Sequence, residues 1–181
     1  AVTVRGWQLR AVLTYTYRVP SDAIGIDYDS YGIYMCRVTD VESPRPFSGP
    51  LRSSSGDVYQ AIQAAPTIIV MGISEIAPDT PDEVSAWVER ATGMSRKADW
   101  TLGAVFGAIM ATWPRVFPTH AIRVMAAADW KRAIGVPGNC KKQIANERAA
   151  LLWRDAYPDI PAPEDHNMLD AYAIAYRGSL R

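Results

Sequence analysis

The stretch Ile24-Gly25-Ile26-Asp27-Tyr28-Asp29-Ser30, followed closely by residues 32–39, decides how the fold starts. Residues 24–28 are apolar and rich in branched side chains, Asp29-Ser30 is turn-prone, and 32–39 reads as a second strand. Together they predict a β-hairpin with Asp27 ending its first strand. Working outward, residues 43–56 are dense in Pro, Gly and Ser, which predicts a loop with at most a short third strand near 46–52, then a helix over 57–64. The run 67–74 is almost continuously apolar and of strand length, so it predicts a central strand covered on both faces, with Glu75 at its end. Two parallel central strands finishing at one edge would bring Asp27 and Glu75 into the crevice where α/β proteins bind ligands. Taken singly, each acid is more often a solvated turn residue than a ligand.

Farther along, Pro81-Asp82-Glu83 suits a helix first turn and predicts a helix to about Arg90, ended by Gly93. Residues 100–113 are apolar nearly all round, with Leu102, Gly103, Gly107 and Ala111 spaced for close contact, so they predict a buried helix against the sheet. A strand at 120–125, a helix at 139–153, a Pro-rich linker at 157–163 and a last helix at 164–176 complete the order. With no internal repeat, that order describes an α/β chain: a mixed sheet with helices on its faces. Residues 1–20 read as an N-terminal extension with a candidate strand at 12–17, and residues 21–181 as a single domain.

Composition narrows the functional classes. The chain of 181 residues is 49% apolar and 21% charged, ordinary for a globular protein. Its longest apolar run, 62–76, is broken by Gln63, Pro66, Thr67 and Glu75, so no membrane span is expected. The first 20 residues lack the pattern of a secretory signal, which sets an intracellular, cytoplasmic expectation. Cys36 and Cys140 lack the spacing of a zinc site or a disulfide framework and read as free thiols. With 19 basic and 19 acidic residues the net charge is zero, so any attraction for nucleic acid has to be local. The stretch 131–148 supplies a candidate: Lys131, Arg132, Lys141, Lys142 and Arg148 against the single acid Glu147, although a solvated helix face reads the same way.

The last helix opens Pro163-Glu164-Asp165-His166-Asn167-Met168-Leu169-Asp170, and helical spacing turns His166, Asn167 and Asp170 to a common side. Asp170 lies within the apolar run 168–175, where an unpaired charge is costly. It needs either a divalent cation, which suits hard carboxylate ligands, or a lysine or arginine partner. In the second case Asp165 is simply the helix cap and His166 a surface residue.

These blocks, in this order, resemble the RuvC-type Holliday junction resolvases of the ribonuclease H-like fold, and among them a phage-borne version. The resemblance spans about residues 23–178. Residues 24–30 are similar to the family strand that ends in Gly-Ile-Asp-Pro-Gly-Ser and carries its first catalytic aspartate, a role that falls on Asp27. Glu75 falls at the second acid, and Leu102-Gly103 with Gly107 match the helix that follows. Residues 130–142, Trp-Lys-Arg-Ala-Ile-Gly-Val-Pro-Gly-Asn-Cys-Lys-Lys, look like the family's DNA-contacting lysines around a glycine turn, giving Lys131 and Lys141 that role, with Arg132 and Lys142 beside them. Asp170-Ala171-Tyr172-Ala173-Ile174-Ala175 resembles the last catalytic block, Asp-Ala-Leu-Ala-Ile-Ala. The chain departs from the pattern at Asn167, where the family has aspartate or histidine, at Asp29, where glycine is usual, and at Pro78 in place of an aromatic residue. Asp165, His166 and Asn167 all stay candidates for the fourth site residue.

The resemblance implies a ribonuclease H-like fold with a mixed five-stranded sheet and helices on both faces. It further implies an endonuclease that hydrolyses branched DNA, above all four-way junctions, to 5′-phosphate ends. Two magnesium ions, replaceable by manganese, would be held by Asp27, Glu75 and Asp170, with Asp165 or Asn167 as a further ligand and His166 or Asn167 assisting catalysis. Symmetric cutting implies a homodimer, for which residues 100–113 offer part of an interface, and a phage-encoded enzyme would act in the host cytoplasm. The rivals are another ribonuclease H-like nuclease acting on flaps, forks or RNA, and a non-catalytic junction-binding protein.

Overall fold

The computed structural model describes residues 22–29, 31–39, 42–51, 58–77, 84–90, 96–118 and 121–180. The strand expected at 12–17, Pro78, Pro81-Asp82-Glu83 and Gly93 lie outside them. Five strands, β1 (Ala23–Tyr28), β2 (Gly32–Val38), β3 (Arg45–Pro50), β4 (Ser85–Glu89) and β5 (Ile122–Met125), form one open sheet in the order β3-β2-β1-β4-β5. β1 to β3 are an antiparallel meander, while β4 runs parallel to β1 and β5 parallel to β4. The predicted hairpin is present. Asp29 builds its turn by accepting hydrogen bonds from the backbone N–H groups of Tyr31 and Gly32 at 2.6 and 2.8 Å.

Two expectations are overturned in the middle of the chain. The predicted strand at 67–74 is the second half of a 19-residue helix, α1 (Val58–Ile76). Its buried residues Ala61, Ala65, Ile69, Gly72, Ile73 and Ile76 recur with helical spacing. Pro66 lies inside the helix on its exposed side, and its missing N–H removes only the bond to the Ile62 carbonyl. The central parallel strand lies instead at β4, where a helix to Arg90 was expected. Its residues alternate, with Ala86 and Val88 packed into one core and Trp87 turned to the other.

Side chains of alternate parity divide the core in two. Ile24, Ile26 and Tyr28 of β1, Ile33 and Met35 of β2 and Val88 of β4 meet α1 and α2 (Arg96–Val116) on one face. The other face is covered by α5 (His166–Ser179), backed by α3 (Ala127–Ala133) and α4 (Lys142–Ala156). α2 turns Val105, Ile109 and Trp113 into the core but packs chiefly on α1, touching the sheet at β1 and β5. Its small residues do not serve the close sheet contact expected of them. Gly103, Gly107 and Ala111 are exposed, and nothing lies within 4 Å of a Cβ built at either glycine.

α5 is buried along nearly its whole length because it lies across β1, β2 and β4. The approach is close: a Cβ at Gly25 of β1 would run into the Ala171 carbonyl oxygen and the Ala175 nitrogen of the α5 backbone. Trp153 of α4 then clamps α5 from outside. Its ring meets Tyr172 edge-on at 4.9 Å, and its Nε1 donates to the Ile160 carbonyl at 3.1 Å.

Gly25→Ala is expected to destabilise the protein by about 1–3 kcal/mol or more through this clash. Gly103→Ala, in open space on a helix, should stabilise it by about 0.5–1 kcal/mol. Urea denaturation of both variants checks the pair, and a neutral Gly25→Ala would contradict the packing described.

Candidate active site

Asp27 and Glu89 end adjacent parallel strands. Ile26 is in register with Val88, so the next residue of each strand stands beside the other, on the sheet face covered by α5. Asp170, in the second turn of α5, is brought to the same place. Asp27 is 8% exposed and Asp170 5%. Burial pushes the Asp27 carboxyl well above its usual pKa, and the negative charges of Asp170 and Glu89 push it further, against Lys142 and a backbone hydrogen bond. Glu89 is raised by burial and by Asp170, in spite of its bond to Trp130. Asp170 is raised by burial, in spite of Lys142, Asn146 and Lys131.

A hydrogen-bonded frame holds these groups. Asp170 Oδ2 pairs with Lys142 Nζ at 2.9 Å, while Oδ1 accepts from Asn146 Nδ2 at 2.8 Å. Asn146 is buried at the start of α4, and the same Nδ2 also donates to the His166 carbonyl at 3.2 Å. Lys142 Nζ donates to Asn167 Oδ1 at 2.8 Å, and Asn167 Nδ2 donates to Asp29 Oδ2 at 3.1 Å. Tyr34, opposite Asp27 on β2, is hydrogen-bonded to Asn167 as well. Glu89 Oε2 accepts from the indole Nε1 of Trp130 at 2.5 Å, which ties β4 to α3.

The structure thus brings Asp27 and Asp170 together but not Glu75. Glu75 is exposed near the end of α1, the helix covering the opposite face of the sheet, and Glu89 is the acid beside Asp27. The reason is the misread segment: the logic of paired parallel strand ends holds, but the second strand is β4. Asp165 is the N-cap of α5, accepting from the N–H groups of Asn167 and Met168 at 2.7 and 3.4 Å. The exposed His166 lines a groove of about 470 Å³ between α4 and α5, with Gln143, Glu147, Leu151 and Arg154 among its other walls. Lys131 and Arg132 lie on α3, where Lys131 Nζ donates to the Cys140 carbonyl at 3.1 Å and Arg132 pairs with Asp129 at 2.6 Å. The turn between α3 and α4 is set by Gly135, whose φ of 86° is unfavourable for other residues. Lys141 is exposed just before α4, and Lys142 opens that helix with its amine on Asp170 rather than in open solvent.

Sequence reasoning missed Glu89, Trp130 and Asn146. The alternation over 84–89, ending in an acid, was the available signal for Glu89. Nothing local in the sequence marks Asn146, whose role follows from α4 packing on α5. Among the described residues, no group of three or more His, Cys, Asp and Glu side chains is arranged to hold a metal ion.

Carboxyl groups whose pKa folding raises contribute most stability below their unfolded pKa, and that contribution is lost as pH rises through the folded value. The metal-free protein is therefore expected to lose thermal stability from this cluster as pH is raised from about 4 toward neutrality. Asp27→Asn should flatten that dependence and raise Tm near neutral pH by roughly 2–4 °C, the equivalent of about 1 kcal/mol. Thermal melts across this range check it. A lower Tm with an unchanged pH slope would contradict the burial and repulsion described.

No family model matches the sequence, and no curated protein sequence does. Solved structures do match the fold. The structure of Thermus thermophilus RuvC superimposes with a TM-score of 0.64 at 18% identity, over 87% of this chain and 92% of that one. T. thermophilus RuvC in complex with Holliday junction substrate gives 0.63 at 17% identity over the same shares. Among the described residues, no helix is long and apolar enough to cross a membrane. The mixed, open five-stranded sheet with its helices is thus the ribonuclease H-like fold that these structures share.

Proposed function

We propose that the protein is a metal-dependent endonuclease that cuts branched DNA, four-way junctions above all, with Asp27, Glu89 and Asp170 as the acids of its active site. The observation that carries this reading is the convergence of these carboxylates from β1, β4 and α5, with Asp27 and Asp170 buried and Glu89 half-buried beside them, a crowding that pushes their pKa values up. The fold supports the substrate class, since a solved neighbour is T. thermophilus RuvC in complex with Holliday junction substrate.

The donor chemistry suits a hard divalent cation, because its atoms are carboxylate oxygens whose mutual repulsion such a cation relieves, although with Lys142 on Asp170 the three acids do not form a ready-made metal cage. Magnesium, as a pair of ions with manganese as a substitute, is our assignment. When bound, it supplies activation of the attacking water and stabilisation of the departing 3′-oxygen. The rest is the work of the chain. Asn146 fixes one oxygen of Asp170, and Trp130 fixes one oxygen of Glu89, so that the acids hold their orientation without relying on substrate. Lys131, Arg132 and Lys141, on α3 and at the start of α4, hold phosphates of the entering strand, giving affinity without reading sequence. Lys131 lies within electrostatic reach of both Glu89 and Asp170, so the basic segment adjoins the acid cluster. Cutting both strands to 5′-phosphate ends calls for two such sites in a homodimer, for which the side of α2 that exposes Trp100 is one apolar surface among several.

The test is cleavage of an end-labelled four-way junction beside duplex, fork and RNA–DNA hybrid, with magnesium and with chelator. Wild type is expected to nick the junction symmetrically and only with the metal. Asp27→Asn, Glu89→Gln and Asp170→Asn should each lose on the order of 10²–10³-fold or more in rate while still binding the junction. Glu75→Gln should cut normally, and loss of cutting there with full activity in Glu89→Gln would overturn the assignment. Stronger cutting of forks or hybrid would favour another ribonuclease H-like activity.

Phosphate contacts predict a salt signature. Lys141→Ala should lower junction affinity and reduce the slope of log K against log salt by about 1, measured by fluorescence anisotropy. An unchanged slope would remove Lys141 from the interface.

A further inference from the structure

Lys142 departs from the behaviour of a surface lysine. Its Nζ lies 2.9 Å from Asp170 Oδ2 and 2.8 Å from Asn167 Oδ1. It contacts Asp170 alone among the acids but stands within electrostatic reach of Asp27 and Glu89 as well. The two polar groups on the other side of it are already engaged: Asn146 donates to the second oxygen of Asp170, and Asn167 turns its amide nitrogen to Asp29. The frame therefore presents oxygens toward Lys142, the arrangement that a cation of any kind would find. Half of the Lys142 side chain remains in solvent, so its long flexible stem has room to swing away from the cluster without disturbing the core.

We propose that Lys142 is a built-in counter-cation, which offsets part of the negative charge of the carboxylate cluster in the metal-free protein and is displaced when a divalent ion enters. Resting on the reading of Asp27, Glu89 and Asp170 as a metal site, this adds a regulatory consequence. Metal loading and DNA engagement are linked, because the displaced ammonium becomes free for a phosphate at the moment the site is charged. The metal must also compete with a tethered cation, so occupancy at a given ion concentration is lower than the acids alone would give.

The test uses Mn2+ alone, without DNA, titrated into the full chain by calorimetry, with Tm measured before and after. Lys142→Met should bind Mn2+ roughly tenfold more tightly than wild type. Without the ion its Tm should be lower, and Mn2+ should raise that Tm by more than it raises wild type's. Lys142→Gln, which keeps a hydrogen-bond donor and loses the charge, should tighten binding in the same direction. Arg154→Ala removes an exposed positive charge from the far end of α4 and should leave Mn2+ affinity unchanged. Equal or weaker Mn2+ binding in both Lys142 variants, with binding still abolished by Asp170→Asn, would overturn this proposal alone. So would a gain in Arg154→Ala equal to that of Lys142→Met. No Mn2+ binding by wild type or by either Lys142 variant would overturn the metal-site reading and this proposal with it.

Discussion

The contact between the backbone of α5 and Gly25 is the constraint from which the rest follows. A helix normally stands off a sheet by the thickness of side chains. Here the missing Cβ lets α5 descend onto β1, so that Ala171 and Ala175 rest on the strand itself. Asp170, one residue before Ala171, is carried down with them to the level of Asp27. With ordinary side chains at this crossing the two carboxylates would be held farther apart and closer to water. The burial that makes them costly, and chemically useful, is therefore a product of backbone packing two residues away from Asp27.

That placement sets up an electrostatic conflict that the surrounding elements contain but do not remove. Three acids with raised pKa values crowd together, and the side chains opposing the shifts come from α3 and α4: Trp130, Lys131, Lys142 and Asn146. α4 is held on α5 by the edge-on contact of Trp153 with Tyr172, so the clamp that stabilises the fold also aims Asn146 and Lys142. Stability is spent to keep charges poised, which is the usual arrangement where a site needs a pre-formed negative field.

Legibility in the sequence followed the locality of the signal. The hairpin of β1 and β2 and the run from Asp165 to Ala175 were readable because their cues are local: branched apolar residues around a turn, a capping acid, and a charge inside an apolar helix. The second half of α1 was misread because a short apolar run looks the same in a strand and in a buried helix. With α1 taken as the central strand, the second acid moved with it to Glu75, although the pairing of acids at parallel strand ends was sound. Asn167 and Asp29, two positions where the chain departs from the resolvase pattern, turn out to be hydrogen-bonded to each other at 3.1 Å. Their partnership is long-range, and neither position announces it alone.

In the proposed site, β1, β4 and α5 bring Asp27, Glu89 and Asp170 together as one cation-binding centre. The most direct measurement is anomalous scattering from crystals soaked in Mn2+. A peak is expected within about 2.0–2.6 Å of oxygens of these acids, with the Lys142 amine moved off Asp170. A peak seated on Glu75, or none at the cluster with Lys142 still paired to Asp170, would contradict it.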